Sequence, residues 1–450
     1  MRDIAVTLAV FGSLPFILAR PWIGILVWTW LGFMNPHRLA WGFSTTMPFA
    51  MIVAITTVVA IVISREPKKF SRQPEMLLML VFLAWMFVTT LNAHYPALAW
   101  EQFDKVAKVF FMIFVATLVI NTRQRLVALA LVIAASIGFF GVKGGLFTLL
   151  TGGGYRVQGP SGTFIAGNNE LGLALIMTVP LLYFGYQYVR RPLVRLGFLG
   201  AVILTIVAIL GTQSRGALIG LCAMGVFIWL KSRHKFRIGI LIAFAILVLV
   251  PFMPESWVAR MSTIENYEED SSAMGRINAW RMAANLAGAE LFGGGFETFQ
   301  AKEFARYSPI PKLTFDAHSI YFEVLGEHGY PGLAIFLLLA GVTWLSASRV
   351  IRRCKKDETL RWLADLMGMV QVSLMAYLVT GGFLGLAYFD FYYNLVLLVV
   401  VAKEILATGG AERPRETPEY ERSGQVRAAA VAPPGAIGQP PGSVGVPGGQ

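Results

Sequence analysis

Charge is scarce in this chain, and cysteine scarcer. Asp, Glu, Lys and Arg make up 14% of its 450 residues, against about 25% in a soluble domain. That shortage leaves too little polar surface to solvate a globular protein of this length. The two cysteines, Cys222 in an apolar run and Cys354 in a basic segment, form no spaced pair. This argues against a disulfide framework or a thiolate metal site. Histidine is also rare, at five residues, so each one deserves a stated reason. A cleavable leader is not evident either: "MRDIAVTLAVFGSLPFILARPW" lacks a small-residue cleavage site and runs on into apolar sequence, so it reads as a retained first span.

Hydrophobic residues are plentiful, at 56%. Apolar runs of roughly 17–25 residues separated by short basic segments mark an all-α polytopic membrane protein. The net charge of +12 sits in "SREPKKFSR", "NTRQR", "RRPLVR", "KSRHKFR" and "SRVIRRCKK". Positive-inside bias explains that placement, so no nucleic-acid partner is expected. Spans fall near 47–64, 76–92, 106–120, 126–150, 170–189, 196–212, 215–231, 237–253, 331–348, 364–386 and 389–406. With the basic segments cytoplasmic, the chain reads as about twelve crossings with both termini inside. "GSLP" and "ARPW" break the first 35 residues into either one broken crossing or two short ones. The expected organisation is an N-terminal bundle over 1–253, a large helical external loop over 254–330 and C-terminal spans over 331–408. A Pro- and Gly-rich tail over 409–450 cannot bury a core and is expected to be disordered in the cytoplasm.

Sidedness sorts the candidate residues. His234 lies in a cytoplasmic basic cluster, and His37 has no acidic or nucleophilic neighbour in sequence. His94, His318 and His328 fall at the external side, and His318 sits in the loop just before a helix, within reach of a substrate. Asp316, Glu323, Glu327 and His328 lie close by in sequence, which raises the question of a metal. At about 100° per residue, Glu323 lies roughly 140° around a helix from His318 and Glu327 roughly opposite, so they do not converge as ligands. No metal or cofactor is expected. A structural, hydrogen-bonded His and a neutral imidazole acting as base or orienting group both remain open readings.

Arginines on the external side run against the positive-inside bias. Arg215, in "LGTQSRGALIGL", falls at the external membrane boundary, where an ionisable side chain is costly. Arg156, Arg260, Arg276, Arg281 and Arg306 are external too. "SSAMGRINAWRMAANLAGAELFGGGFETF" reads as an amphipathic helix closed by glycines, with Arg276 and Trp280 on one face and Arg281 turned away. That helix fits either the membrane interface beside a lipid-linked substrate or a plain cover for the bundle. Guanidinium groups hold phosphate oxygens bidentately at any relevant pH. Several of them near a His at a membrane boundary point to an anionic lipid such as a polyprenyl diphosphate.

"SRGALIGL", "GRINAWRMAANLAGAELFGGGFETF" and "AHSIYFEVLGEHGYPGL", in that order, resemble the O-antigen ligase and polymerase superfamily of bacterial envelope glycosyltransferases. "GTFIAGNNELGLAL" resembles the family's Asn-containing entry to a middle span, which makes Asn169 a candidate. The N-terminal third, with "RPWIGILVWTWLGFMNPHRLAWGF", is similar to a subgroup of probable O-glycosylation ligases associated with exosortase systems. The resemblance implies a GT-C-like helical fold and a metal-independent, inverting transfer at the periplasmic face of the inner membrane. The donor would be a glycan on undecaprenyl diphosphate and the acceptor a sugar hydroxyl of lipid A–core. It implies His318 and Arg215 as catalytic residues and Arg276 at the diphosphate, with Arg156 and Arg281 as further candidates there. Ser319 stands where many members have Asn, and Ser319, Asp390 and Trp280 are supporting candidates. Protein O-oligosaccharyltransfer and O-antigen polymerisation share this donor. A transporter would instead place ionisable residues at the midplane of broken spans.

Overall fold

A computed structural model describes residues 1–231 and 271–408, with scattered positions between 234 and 257. The tail beyond 408, Arg260 and most of the expected span at 237–253 lie outside the described residues.

Regular structure among the described residues is entirely helical. The first 35 residues resolve into two helices, α1 (Arg2–Ala19) and α2 (Pro21–Met34), broken at the extended Arg20. Then follow α3 (Phe49–Ile63), α4 (Pro74–Leu91), α5 (Pro96–Val119), α6 (Arg123–Leu150), α7 (Asn168–Tyr188), α8 (Pro192–Gly211) and α9 (Arg215–Lys231). After the large loop's α10 (Ser271–Ala289) and α11 (Ala301–Tyr307) come α12 (Ile320–Cys354), α13 (Arg361–Thr380) and α14 (Asp390–Ala407). Proline opens α2, α4, α5 and α8, where its missing N–H forfeits no helical bond and its fixed φ suits the first turn.

Seven helices among the described residues are long and apolar enough to cross a membrane: α1, α4, α6, α7, α8, α12 and α13. The twelve crossings expected from the sequence are not established by that number. α2, α3 and α9 have 14, 15 and 17 residues, short of a standard span. α5 carries Glu101, Asp104, Lys105 and Lys108, and α14 carries Asp390, Lys403 and Glu404.

α6 and α8 form the tightest helix pair. Gly141 and Gly145, four residues apart on α6, meet Thr205 and the Leu204 backbone of α8 so closely that a Cβ at either would overlap. Small residues at such spacing let helices in lipid gain by backbone-to-backbone packing. α7, α13 and α12 pack on in succession, while α14 lies buried along almost its whole length against α5, α12 and α13.

α12 is the element that shapes the site. Its axis breaks at Gly329 (φ 64°, ψ −173°), a conformation an L side chain resists, and a Cβ there would meet the Leu291 carbonyl. Pro331 adds a residue with no N–H to give. The carbonyls of Gly326, Glu327 and His328 consequently look elsewhere for donors. They find Gly294 N at 2.9 Å, Gly295 N at 2.9 Å and Trp85 Nε1 at 2.9 Å. The motif "GEHGYPG" thus clips the glycine turn after α10, and α4, to a short helical segment at 320–328. Behind it the His328 ring is fully buried, with Nδ1 2.7 Å from the Thr89 hydroxyl.

Candidate active site

Two helix ends and two loops meet around His318. α10 fixes the chain that leads to it: the Asn278 amide donates to the carbonyls of Ile310 (2.9 Å) and Leu313 (2.8 Å) and accepts from Ile310 N (3.0 Å). The Trp280 indole N–H donates to the Ala317 carbonyl at 2.7 Å, and its ring stacks on Phe322 at 5.0 Å with planes 8° apart. His318 follows immediately with φ 41°, the left-handed region that non-glycine residues avoid. Such strain concentrates at functional positions and persists only where neighbours enforce it. Here Trp280 enforces it from one side and the start of α12 from the other.

The segment joining α13 to α14 covers His318 from above. The Tyr321 hydroxyl donates to the Leu378 carbonyl (2.6 Å), and Ala387 N donates to the Glu323 carboxylate (3.0 Å). A Cβ at Gly385 would lie 3.6 Å from His318 N and 3.4 Å from Glu323 Oε2, so this segment passes in van der Waals range of the His318 backbone. Arg215 opens α9 against this same segment: the position of a Gly216 Cβ is 3.3 Å from that of Phe383. The turn before Arg215 holds the remaining pieces. Asn168 Nδ2 donates to the Thr212 carbonyl (2.8 Å), Gln213 Nε2 to the Gly153 carbonyl (3.0 Å), and Val157 N to the Gly211 carbonyl (2.9 Å).

Electrostatics ties the pieces together. Burial lowers the His318 pKa below its ordinary 6.5, and the nearby Arg276 guanidinium lowers it further. Asp316 and Glu170 push the other way without prevailing. The ring is therefore neutral at pH 7 and able to accept a proton.

The sequence candidates separate accordingly. His318, Arg215, Arg276 and Trp280 converge on one end of the bundle. Arg156 is exposed in the loop that Val157 anchors to the Arg215 turn. Asn169 is half-buried in the first turn of α7, while its neighbour Asn168 makes the bond to the turn. The Ser319 hydroxyl is buried with no hydrogen-bond partner among the described residues. Arg281 is exposed on α10, on the face away from Arg276. Asp390 opens α14 and is 7% exposed.

Asp390 lines a pocket of about 440 Å³ at this end, with Trp28 and Phe33 of α2, Gln102 and Lys105 of α5, and Phe164. Lys105 reaches the site's field as well. Burial and Asp316 raise the Glu297 pKa, and Lys105 opposes them. Lys105 escapes a reading focused on arginine, although an external lysine violates the positive-inside bias just as an external arginine does.

His94 is a structural strap. Its Nε2 lies 2.8 Å from Glu290 and its Nδ1 3.2 Å from Glu303, which joins the start of α5 to both sides of the glycine turn. The Tyr307 hydroxyl donates to Glu290 at 2.5 Å, and burial together with that bond pushes the Tyr307 pKa up to about 12.

Residues 200–337 match the family model described as O-Antigen ligase, and residues 1–189 match a family of unknown function, DUF5935. The first match takes in Arg215, Arg276 and His318 together. No curated protein matches the chain.

Proposed function

We propose that this member of the O-antigen ligase superfamily, a multi-pass membrane protein of the glycan-transfer class, moves a glycan from undecaprenyl diphosphate to a sugar hydroxyl of lipid A–core. The observation that carries this reading is the half-buried, neutral His318 held at positive φ within the field of Arg276, beside the segment that abuts Arg215. In this reading the transfer takes place at the periplasmic face of the bacterial inner membrane, a placement supported by the site's position at the end of the bundle opposite the basic segments.

In this reading His318 accepts the proton of the acceptor hydroxyl as its oxygen attacks the anomeric carbon. The bond from that carbon to the diphosphate oxygen breaks, and the electron pair leaves with the polyprenyl diphosphate. Arg215 and Arg276 stabilise the charge that grows on the leaving group, the step at which fixed cations contribute most. Arg156 and Lys105 extend the positive field toward the rest of the donor. Attack from the face opposite the leaving group inverts the anomeric centre.

The test is a lipopolysaccharide gel from a strain without its own ligase, expressing this chain together with a compatible donor. A restored ladder is expected. No ladder, from well-expressed protein beside an active control ligase, would remove lipid A–core as acceptor.

Two further results follow from the geometry. Transfer should fall as the pH drops and His318 protonates, with its midpoint below the ordinary imidazole value because the His318 pKa is lowered. Arg276→Gln removes a cation that lowers this pKa, so the midpoint moves up; Asp316→Asn removes an anion that raises it, so the midpoint moves down. Coincident profiles for the two variants would contradict the assignment. Trp280→Phe keeps the stack on Phe322 but loses the bond to Ala317, at about 1 kcal/mol of stability. Misplacing His318 by a fraction of its contact distance costs up to about 10²-fold in kcat. KM and the pH midpoint should stay fixed, and an unchanged kcat would reject this positioning role.

A further inference from the structure

A second cavity, of about 660 Å³, lies at the opposite end of the bundle from His318. It is bounded by the start of α6, the end of α7 and the start of α13. Their other ends lead to the Arg156 loop, begin at Asn168, and lead to the segment over His318. α6 spans the distance between the two sites with 28 residues, about 42 Å at 1.5 Å per residue. That is about the thickness of a bilayer including its headgroups. The cavity therefore sits at headgroup level of the other leaflet.

Its charged lining is Arg123, Arg190, Arg361, Glu358 and Asp365, and Leu131 and Phe184 supply an apolar wall. Arg123 is the unusual member. Its guanidinium lies over the Trp362 ring at 4.9 Å and the Tyr188 ring at 5.5 Å. Its Nε is buried without a hydrogen-bond partner among the described residues. Carboxylates are not lacking nearby: Arg125, two residues on, grips Glu66 through bonds of 2.8 and 2.9 Å. Arg123 instead lies against these two rings in the lining of the cavity. Arg361 pairs only loosely with Glu358, at 3.6 Å between two exposed side chains. α6 and α13 both direct their N-termini here, and the cap residue of α13, Leu360, offers no side-chain bond to the first amides. Such ends attract anions. The C-terminus of α7 also ends at the cavity, and Arg190 follows it two residues on.

We infer that this cavity binds the phosphate of a membrane lipid headgroup. Three guanidinium groups against two carboxylates leave one positive charge, which matches the single negative charge of a phosphodiester. The planar Arg123 donors suit phosphate oxygens, the two aromatic rings suit the interface, and Leu131 and Phe184 suit the first methylenes of an acyl chain. A lipid held there would staple the three helices whose far ends build the candidate active site.

The experiment titrates the purified full-length protein in neutral detergent with phosphatidylglycerol, phosphatidylcholine or inorganic phosphate. It reads binding by native mass spectrometry and the thermal midpoint. Phosphatidylglycerol should bind and raise the midpoint. Arg123→Gln should weaken that binding about tenfold, the effect of one lost charge-assisted bond. Arg190→Gln, an exposed position whose change leaves the fold intact, should weaken it in the same direction. Arg195→Gln, exposed outside the cavity, should not. Inorganic phosphate acting as strongly, with the same dependence on variants, would keep the phosphate site and assign it a soluble ligand. Phosphatidylglycerol bound equally by wild type, Arg123→Gln and Arg190→Gln would overturn the inference.

Discussion

His318→Ala is expected to fold as the wild type does and to lose glycan transfer by about 10²–10⁴-fold, the range supplied by a positioned acid–base group. His318 is half-buried in a loop, so truncating it opens no core cavity. Its φ of 41° suits alanine somewhat less than histidine, which is enriched in the left-handed region, although any residue with a Cβ is strained there. His318→Asn separates these effects: asparagine tolerates the left-handed region but cannot act as a base near neutral pH. Both variants should therefore be equally inactive, with the Asn variant the more stable of the two by thermal unfolding. Substantial transfer by the Asn variant would make His318 an orienting group, and normal transfer by both would remove it from the chemistry.

The position of His318 was legible because histidine is rare and because positive-inside bias fixes which loops share a side. Its conformation was not, because the left-handed φ follows from the Trp280 bond to Ala317 across 37 residues of chain. The helical period did separate the two arginines of α10: five residues place Arg281 about 140° from Arg276, and it is exposed while Arg276 faces His318. The same kind of local reading hides Lys105. It pairs with Glu101 one turn away at 2.9 Å, next to a matching Asp104–Lys108 pair, and so reads as a solvated face. Only the tertiary fold places it beside Glu297 and the Asp390 pocket. His94 is a sharper case, since Glu290 is 196 residues away.

The fold shows the same division. Apolar runs and the prolines that open helices place most helix starts, because both act within a turn or two. Crossing count is harder, because it depends on what covers each helix. α14 is buried by protein along most of its length and so tolerates charges that a lipid-facing span could not. The apolar run starts a span near 331, but the helix already begins at Ile320, breaks at Gly329 and resumes at once. The break is tolerated because the glycine turn after α10 and Trp85 take the freed carbonyls.

Lys403→Met should cost about 3–5 kcal/mol, the penalty for leaving a buried carboxylate without its cation. Glu75 is fully buried at the start of α4, and Lys403 Nζ bonds both of its oxygens at 2.9 and 2.8 Å, with the Ser346 hydroxyl of α12 at 3.3 Å. The three groups set the axial register of α4, α12 and α14 at the end away from His318. α12 and α14 then carry that register to the site, one through the 320–328 segment and the other through Asp390. The double variant Glu75→Leu with Lys403→Met replaces the pair by apolar side chains and should recover most of the lost stability, since neither charge is then stranded. Thermal unfolding in one detergent distinguishes the cases: a single variant far below wild type and a double variant close to it. If the register is what matters for transfer, kcat should recover with stability in the double variant, while the His318 pH midpoint stays put throughout. A double variant as unstable as Lys403→Met would mean that the lysine stabilises through its packing on the neighbouring helices rather than through the carboxylate.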